Sequence, residues 1–293
     1  MRKNNSLNFF KGIFFISPWL VGFLIFTLLP FIASFYYTFT RFSITTKVQW
    51  TGTENYVNMF SDPLFYKSLM NTVWMTVGLV PIGLLVALGT AILLDKPLKE
   101  TSFYRAAIYL PSIVPAFGFS AVVTWFFHPY MGIVNAFLEL LGLEGPLWLS
   151  SEVWVKPTIV IAAQWGVGSS MLIFSAAIKD IPKEFYESAR IDGANRFVVF
   201  KKITLPLITP TIFYYLVTST IGALQIFDLP MLLSNGGPAN ASMSLSMYIY
   251  RHAFTYTNMG YASAMAWFLF GVTFILTIFY FAFQKKWVYY LGS

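Results

Sequence analysis

Side chains that could perform acid–base or metal chemistry are scarce in this chain of 293 residues. The two histidines, His128 and His252, have no second ligand-type residue at a spacing typical of a metal site. The absence of cysteine excludes disulfides, thiolate metal sites and a cysteine nucleophile. We therefore predict no catalytic residue and no metal ligand, and a polytopic membrane enzyme is kept only as an alternative.

Polar side chains that could hold a solute lie within two long apolar stretches. Amide, hydroxyl and indole groups can bind a neutral polar solute such as a sugar. Hydroxyl and small residues also pack membrane helices together, so both interpretations stay open. Gln164 and Gln225 are the stronger candidates because an amide that faces lipid is costly. The candidate solute-path residues are Gln164, Trp165, Ser169, Thr218, Ser219 and Gln225.

The elements that position these residues are expected to be membrane spans. The chain is 57% hydrophobic and 11% charged, whereas soluble domains carry about 25% charged residues. Its net charge of +7 does not indicate nucleic-acid binding, because the basic residues lie between the apolar runs. An all-α membrane protein with six transmembrane helices is predicted, since about 20 apolar residues suffice for one crossing. The predicted spans are 12–39, 69–94, 106–127, 156–178, 205–233 and 260–283.

Several local features refine these spans. The first apolar run is too long for a signal peptide and is interpreted as a retained span. Pro111 and Pro115 are expected to bend or break the start of the third span. We expect a short interfacial helix at 135–141 and an outside loop at 234–258, and Asp228 is interpreted as capping or kinking the fifth span.

A hydrophilic segment, residues 181–206, separates the fourth and fifth apolar runs. Its charges cannot lie in hydrocarbon, so it faces water or a partner protein. We predict a helix that ends at Gly193 in a left-handed cap and a second helix that begins at Asn195. The segment is either a knob that docks into a groove of a soluble partner or a solvated, salt-bridged loop. Its predicted apolar and small face consists of Ile181, Phe185, Ser188 and Ala189.

The spacing within this segment carries a family resemblance. Glu187-Ser188-Ala189 is followed after three residues by Gly193, and after nine more by Ile203-Thr204-Leu205-Pro206. This resembles the "EAA" signature of permease subunits in binding-protein-dependent ABC importers, with Ser188 in place of an alanine. Further matches are Tyr109-Leu110-Pro111, Trp125, Gly132 and Asn135 in the third-span region. Phe227-Asp228-Leu229-Pro230 and Gly236-Gly237-Pro238 resemble a motif of the sugar-type branch, the maltose and glycerol-phosphate type.

The resemblance implies an ABC transporter type-1 transmembrane domain that imports a sugar, oligosaccharide or related solute by alternating access. It implies a second homologous permease, two ATPase subunits, an extracytoplasmic solute-binding protein and a lipid bilayer as partners, with no nucleic acid. The chain has no G-x-x-x-x-G-K-[ST] loop, so ATP and Mg are assigned to the partner ATPase and no cofactor to this chain. A non-transporting receptor or scaffold is the other alternative. The implied ATPase-docking residues are Phe185, Tyr186, Glu187, Ser188, Ala189, Asp192, Gly193, Ala194 and Phe197.

The basic residues predict the orientation in a bacterial plasma or inner membrane. With both termini in the cytoplasm, 14 of the 19 Lys and Arg residues fall in inside segments, which is a firm positive-inside signal. The inside set includes Arg2, Lys3, Lys11, Lys96 and Lys99. The chain is expected to divide into 1–67, with the first span and outside segment, 68–284, the transmembrane domain, and 285–293, a cytoplasmic tail.

Overall fold

The computed structural model describes residues 3–43, 47–95 and 100–290, and side chains from Gly12 onwards within those ranges. Arg2, Lys96 and Lys99, and the side chains of Lys3 and Lys11, which entered the orientation count, lie outside this description. The first part contains α1 (Lys3–Phe23), a π-helical turn (Leu24–Leu28), α2 (Leu29–Tyr37), β1 (Thr40–Arg41), β2 (Gln49–Trp50), α3 (Glu54–Ser61), α4 (Pro63–Leu93), α5 (Thr101–Tyr109), a 3-10 turn (Leu110–Ile113), α6 (Ala116–Phe126), α7 (Ile133–Leu140) and a 3-10 turn (Trp148–Ser150).

The second part begins with the fourth span and runs to the end of the described chain. It contains α8 (Val155–Ala163), a 3-10 turn (Gln164–Gly166), α9 (Gly168–Lys179), α10 (Lys183–Ile191), α11 (Arg196–Val199), a π-helical turn (Phe200–Thr204), α12 (Leu205–Leu207), α13 (Thr209–Leu224), α14 (Asp228–Ser234), α15 (Leu245–Tyr250), a π-helical turn (Arg251–Thr255) and α16 (Met259–Gln284). The predicted interfacial helix at 135–141 corresponds to α7.

Helices dominate the described chain, and β1 and β2 form one short antiparallel pair. Three stretches are individually long and apolar enough to cross a bilayer, namely Gly12–Tyr37, Pro63–Leu93 and Met259–Gln284. Counting each of three bent helix pairs as one span gives six, which confirms the predicted all-α, six-span architecture. The bent pairs are Thr101–Ile113 with Ala116–Phe126 (103°), Val155–Gly166 with Gly168–Lys179 (51°), and Arg196–Leu207 with Thr209–Leu224 (62°).

The sharpest bend lies in the third span, where proline predicted it. Val114 is extended, with ψ of 131°, and Pro115 precedes the first residue of α6. A residue that precedes proline is pushed out of the helical region by the proline ring, so the helix must stop there. The prediction of a break at Pro111 and Pro115 is confirmed.

Two predicted span boundaries are wrong, and the fourth span is bent. The fourth span keeps its predicted bounds of 156–178 to within a residue, but its backbone tightens into a 3-10 turn at Gln164–Gly166. The fifth span does not continue to 233, because α13 ends at Leu224 and a separate helix, α14, begins at Asp228. Asp228 lies in the first turn of α14, where a carboxylate suits the positive helix end. The second span begins at Pro63 rather than at 69.

Two of the π-helical turns are each followed closely by a proline. The backbone N–H of Leu29 donates to the Leu24 carbonyl just before Pro30, and Leu205 donates to Phe200 just before Pro206. A proline inside a helix clashes with the carbonyl four residues earlier. A widened turn moves that carbonyl aside, so the helical backbone continues past Pro30 to Tyr37 and past Pro206 as far as the bend at Ile208.

The chain forms two compact units, each described by itself. One comprises Met1–Asp62 with Ile249–Phe268. In this unit the Asn55 amide donates to the carbonyls of Thr38 and Thr40 at 2.8 and 2.9 Å, and the Trp267 ring packs on Phe31 with centroids 4.6 Å apart. A buried amide that satisfies two carbonyls fixes the chain where the first span ends.

The other unit comprises Pro63–Tyr248 with Leu269–Ser293. One buried cluster joins α4, α9 and the start of α13 through Ala87, Phe174 and Tyr215. A second cluster joins α4, α6 and α8 through Met75, Val123, Ile159 and their neighbours. These buried clusters hold α4 against the spans on either side of it.

The predicted outside loop at 234–258 departs from expectation because part of it is buried. Met243 and Leu245 are at most 1% exposed, although they follow a Gly-Gly-Pro turn. The Asn71 amide donates to the carbonyls of Asn240 and Met243 at 2.9 and 3.1 Å, and Thr72 Oγ1 accepts from the Leu245 N–H at 2.8 Å. These polar side chains on α4 satisfy the loop backbone, which allows it to pack inside the unit.

Candidate docking segment and solute path

The first helix of the hydrophilic segment, α10, ends in a Schellman motif. The Ala194 N–H donates to the Ala189 carbonyl at 2.9 Å and the Gly193 N–H to Arg190 at 3.1 Å. Gly193 has φ of +72°, a left-handed conformation that costs glycine little. The predicted break at Asp192-Gly193 is confirmed, and the chain reverses within a few residues.

The second helix begins as predicted at Asn195. The Asn195 side-chain oxygen accepts from the Val198 N–H at 2.9 Å and caps α11. The helix then passes through the π-helical turn to α12 and reaches the bend at Ile208 that starts α13. The hydrophilic segment is therefore joined to the fifth span by helical backbone on one side and to α9 by a short turn on the other.

One face of α10 is anchored to the spans. Ala189 and Ile181, which lies just before the helix, are buried, and Tyr186 packs against the cluster that contains Phe174. The Tyr186 hydroxyl lies 3.2 Å from Thr204 Oγ1 on the returning helix. These contacts brace the two helices against each other and against α9, so the segment is a rigid part of the unit.

The predicted composition of that face is partly wrong. Phe185 and Ser188 are exposed, and the Ser188 hydroxyl donates to the Glu184 carbonyl at 2.8 Å on its own helix. Tyr186 takes the inward position instead, because the returning helix offers Thr204 as a partner. The elements that pack against a short helix thus decide which of its faces is buried, and helical periodicity alone does not predict this.

The outward surface of the hydrophilic segment carries exposed apolar side chains. Phe185, Ile191 and Phe197 are 41%, 87% and 71% exposed, and Glu187, Asp192 and Gly193 lie on the surface among them. Exposed apolar side chains rimmed by polar residues are typical of a protein contact surface. Ile191 was missed by sequence reasoning, although a β-branched residue directly before Asp192-Gly193 is a signal that could have indicated it.

The salt-bridged-loop interpretation lacks support. No ion pair joins residues 181–206 to one another or to any other residue that the structure describes. Lys183, Glu187 and Arg190 are all exposed. Their charges therefore do not hold the segment in shape; the caps and the buried face do.

Two predicted solute-path residues meet at a small cavity of about 240 Å³ between α4, the break in the fourth span and α13. Gln164 and Ser219 both line it, together with Gly83 and Tyr215. The Gln164 Nε2 donates to the Val160 carbonyl at 2.7 Å. A Cβ on Gly83 would overlap the Tyr215 hydroxyl, so a larger residue there would displace the tip of that side chain.

The breaks in the third and fourth spans contact each other through their 3-10 turns. A Cβ on Gly168 would lie 2.5 Å from the Ile108 carbonyl, and the Ser169 hydroxyl donates to Ser112 Oγ at 3.2 Å. Non-helical backbone at membrane depth is tolerated where it is buried in protein or lines a water-filled path. The structure thus places Ser169 at a point where a polar path is physically reasonable.

The other solute-path candidates lie outside the small cavity. Trp165 is 44% exposed and its ring packs edge-on against Phe126 with centroids 5.4 Å apart. Thr218 is exposed and its hydroxyl donates to the Tyr214 carbonyl at 2.8 Å, while Gln225 is exposed where α13 ends. These polar groups face outward from this chain, toward whatever covers the spans.

Comparison with known proteins identifies the architecture. Residues 79–289 match the family described as "Binding-protein-dependent transport system inner membrane component". The chain is similar to the probable ABC transporter permease protein YesP of Bacillus subtilis, with 38% identity over 99% of this chain and 96% of that protein. It is also similar to the sulfoquinovosyl glycerol transport system permease protein SmoG of Agrobacterium fabrum, with 36% identity over 84% of this chain and 80% of that protein.

A solved structure has the same fold. It is a bacterial ABC transporter involved in the import of the acidic polysaccharide alginate, and one of its chains superimposes with a TM-score of 0.84 at 25% identity, covering 95% of this chain and 99% of that one. The family match extends from the second span to the end of the sixth and includes the EAA-like segment. The chain therefore belongs to the inner membrane components of binding-protein-dependent transport systems, as a non-catalytic permease subunit of an ABC importer.

Proposed function

We propose that this permease imports a carbohydrate or related solute by alternating access, driven by ATPase subunits that bind residues 181–206. It works beside a second, homologous permease and receives solute from an extracytoplasmic binding protein, while ATP and Mg act on the ATPase chains. The observation that carries this proposal is the braced segment that presents Phe185, Ile191 and Phe197 on its exposed surface. The names of SmoG and of the alginate transporter, both carriers of sugar-containing solutes, support the solute class.

The docking role follows from rigidity combined with exposure. A segment transmits movement only if it cannot deform, and α10 is capped, reversed by Gly193 and packed on the span core. Its exposed residues offer the partner both apolar area and the Glu187 carboxylate. We propose Phe185, Glu187, Ser188, Asp192, Gly193 and Phe197 as the contact surface, with Tyr186, Ala189 and Ala194 holding its shape, and add Ile191 to it.

The solute path is proposed along the breaks in the spans. Gln164 lies in the break of the fourth span, Ser169 in the first turn of the helix after it, and Ser219 on α13 across the small cavity. Polar groups at such a break can face a path rather than lipid. Trp165 adds an aromatic face and Thr218 and Gln225 add polar groups that a second permease would cover. The positive-inside distribution supports both termini, and the docking segment, in the cytoplasm.

Co-purification tests the docking role directly. A tag on this chain should recover an ATPase from detergent-extracted native membranes, and Glu187→Arg should abolish recovery or uncouple ATP hydrolysis from uptake. Glu139→Arg is the matched control, because Glu139 is also an exposed helical carboxylate but lies on α7. Wild-type recovery and uptake with Glu187→Arg would exclude docking through this surface.

Transport kinetics test the path. Reconstituted complexes are assayed with lactose, maltose, sulfoquinovosyl glycerol and an alginate oligosaccharide as solutes. Gln164→Ala and Gln225→Ala should change solute affinity or transport rate while the ATPase stays bound. If both variants keep wild-type kinetics, the assignment of these residues to the path is wrong.

A further inference from the structure

A cavity of about 550 Å³ opens where the third span and the helix after the fifth span end. We propose that it is an outer subsite that holds one uncharged sugar unit of the solute before the solute enters the spans. The inference rests on the proposed carbohydrate import. Residues that line the cavity include Thr124, Phe127, His128, Tyr130, Ser150 and Asn235.

The position of the cavity follows from the order of the spans. The chain between α6 and α8 joins the third and fourth spans, whereas residues 181–206 join the fourth and fifth. Each span crosses once, so consecutive connections lie on opposite sides of the bilayer. The cavity is therefore on the side away from the docking segment, where solute would arrive from a binding protein.

The hydrogen-bonding state of His128 is fixed by its own turn. The backbone N–H groups of Tyr130 and Met131 donate to His128 Nδ1 at 3.3 and 3.1 Å. Because Nδ1 accepts, the neutral ring carries its proton on Nε2. His128 thereby offers the cavity a donor for a sugar hydroxyl.

The remaining wall suits a sugar ring, which has hydroxyl edges and apolar C–H faces. Tyr130 is 85% exposed and gives an aromatic surface with a hydroxyl at its tip. Thr124, Ser150 and Asn235 add polar groups around the apolar floor of Phe127. A volume of about 550 Å³ lies in the range of small-molecule sites.

The residues that line the cavity favour an uncharged ligand over an anionic one. The lining residues, all of them described, include no lysine and no arginine. A phosphate or a lipid headgroup would need such cations to offset its charge. An uncharged sugar unit needs only donors, acceptors and an aromatic face, which the wall provides.

The subsite is held rigidly, as pre-organised binding requires. The Asn135 amide donates to the carbonyls of Pro129 and Pro146 at 2.7 and 3.2 Å, and its oxygen accepts from the Trp148 indole. A Cβ on Gly132 would lie 2.5 Å from the carbonyls of Phe126 and His128. Asn135 and Gly132 therefore have a structural role here: they lock the turn that carries His128 and Tyr130.

The test measures solute transported per ATP hydrolysed by the reconstituted complex, with its solute-binding protein loaded and in excess. Lactose, maltose, sulfoquinovosyl glycerol and an alginate oligosaccharide are tried on the wild type, and the faster of the two uncharged sugars, lactose and maltose, is used for the variants. A wild type that transports only the two acidic solutes would contradict a subsite for an uncharged sugar unit. His128→Asn keeps an acceptor for the turn but loses the Nε2 donor, Tyr130→Leu loses the aromatic face, and Asn235→Gly keeps the left-handed backbone, with φ of 47° in the wild type.

We expect each variant to lower the ratio about fivefold, the loss of one hydrogen bond or ring contact, with an unchanged ATPase rate. Leu140→Ala, on exposed α7 away from the cavity, should leave the ratio unchanged. If His128→Asn fails to assemble, Tyr130→Leu decides, because that side chain lies on the surface.

Three further results would overturn the subsite. Unchanged ratios in all variants, with a wild type that transports sugar, would refute the subsite and leave the proposed function standing. Loss of ATPase stimulation by the binding protein would mean that this surface contacts that protein and not the sugar. A wild type that transports none of the four solutes would refute the proposed carbohydrate import, and the subsite with it.

Discussion

Substitution of Gly193 gives a graded test of whether the turn after α10 must be rigid. Gly193 has φ of +72°, and a Cβ there would meet nothing within 4 Å. The cost of alanine is therefore conformational rather than steric, about 1–2 kcal/mol for a left-handed L-residue. That cost lowers the ratio of ordered to disordered turn by roughly 5–30-fold.

Proline at the same position should be far worse than alanine. Its φ is locked near −65° and it has no N–H, so the bond from Gly193 to the Arg190 carbonyl at 3.1 Å is lost as well. A cost of about 3 kcal/mol or more corresponds to over 100-fold in the population of the native turn. Asparagine, which tolerates the left-handed region, should remain near the wild type.

The assay is ATPase co-purified per tagged chain, followed by uptake in proteoliposomes. We expect the order glycine, asparagine, alanine, proline, from most to least ATPase retained. Gly89→Ala is the matched control, because Gly89 lies within α4 without a positive φ and with no atom near its Cβ position. Equal recovery with Gly193→Pro, or an equal loss with Gly89→Ala, would refute the argument from the turn.

Three further predictions concern caps, contacts and pH. Asn195→Ala removes the cap on the Val198 N–H and should reduce ATPase retention through a loss of about 1 kcal/mol, while Asn195→Asp retains it. Tyr186→Phe keeps the packing but loses the hydroxyl contact with Thr204 at 3.2 Å, so ATPase stimulation should fall about fivefold with assembly intact. Burial lowers the pKa of His252, and the Asp62 charge only partly opposes it; folding therefore favours the neutral ring, and the melting temperature should fall as pH drops below about 6.5. His252→Phe, which keeps a ring beside Tyr256 and Tyr261, should reduce that pH dependence in fluorescence-detected melting, and an identical pH dependence would refute the role of His252.

Features that depend on residues close together in the sequence could be predicted. The apolar runs gave the spans, Pro115 gave the sharpest bend, and Gly193 and Asn195 gave the end of one helix and the start of the next. Each depends on residues only a few positions apart, so no knowledge of the fold was needed. The domain division at 67/68 and 284/285 stays a prediction.

Features that depend on distant partners could not be predicted. The segment Met243–Leu245 follows residues that are typical of a polar turn. It is nevertheless buried, because Asn71 and Thr72, about 170 residues earlier, form hydrogen bonds with its backbone. The break at Gln164–Gly166 contains no proline, and its polar and small residues also occur within continuous membrane helices that pack closely. The inward position of Tyr186 likewise depends on a distant partner, because Thr204 lies near it only after the chain reverses.

The position of α9 links the docking segment to the solute path. Its 12 residues form one uninterrupted helix, about 18 Å long at 1.5 Å per residue. Gln164 lies just before one end, and Ile181, buried in the same cluster as Phe174, lies just after the other. If a docked ATPase moves α10 as proposed, α9 is expected to shift as one helix, because its buried contacts hold it along its length. The bend before Gly168 is where that shift would change the shape of the proposed path.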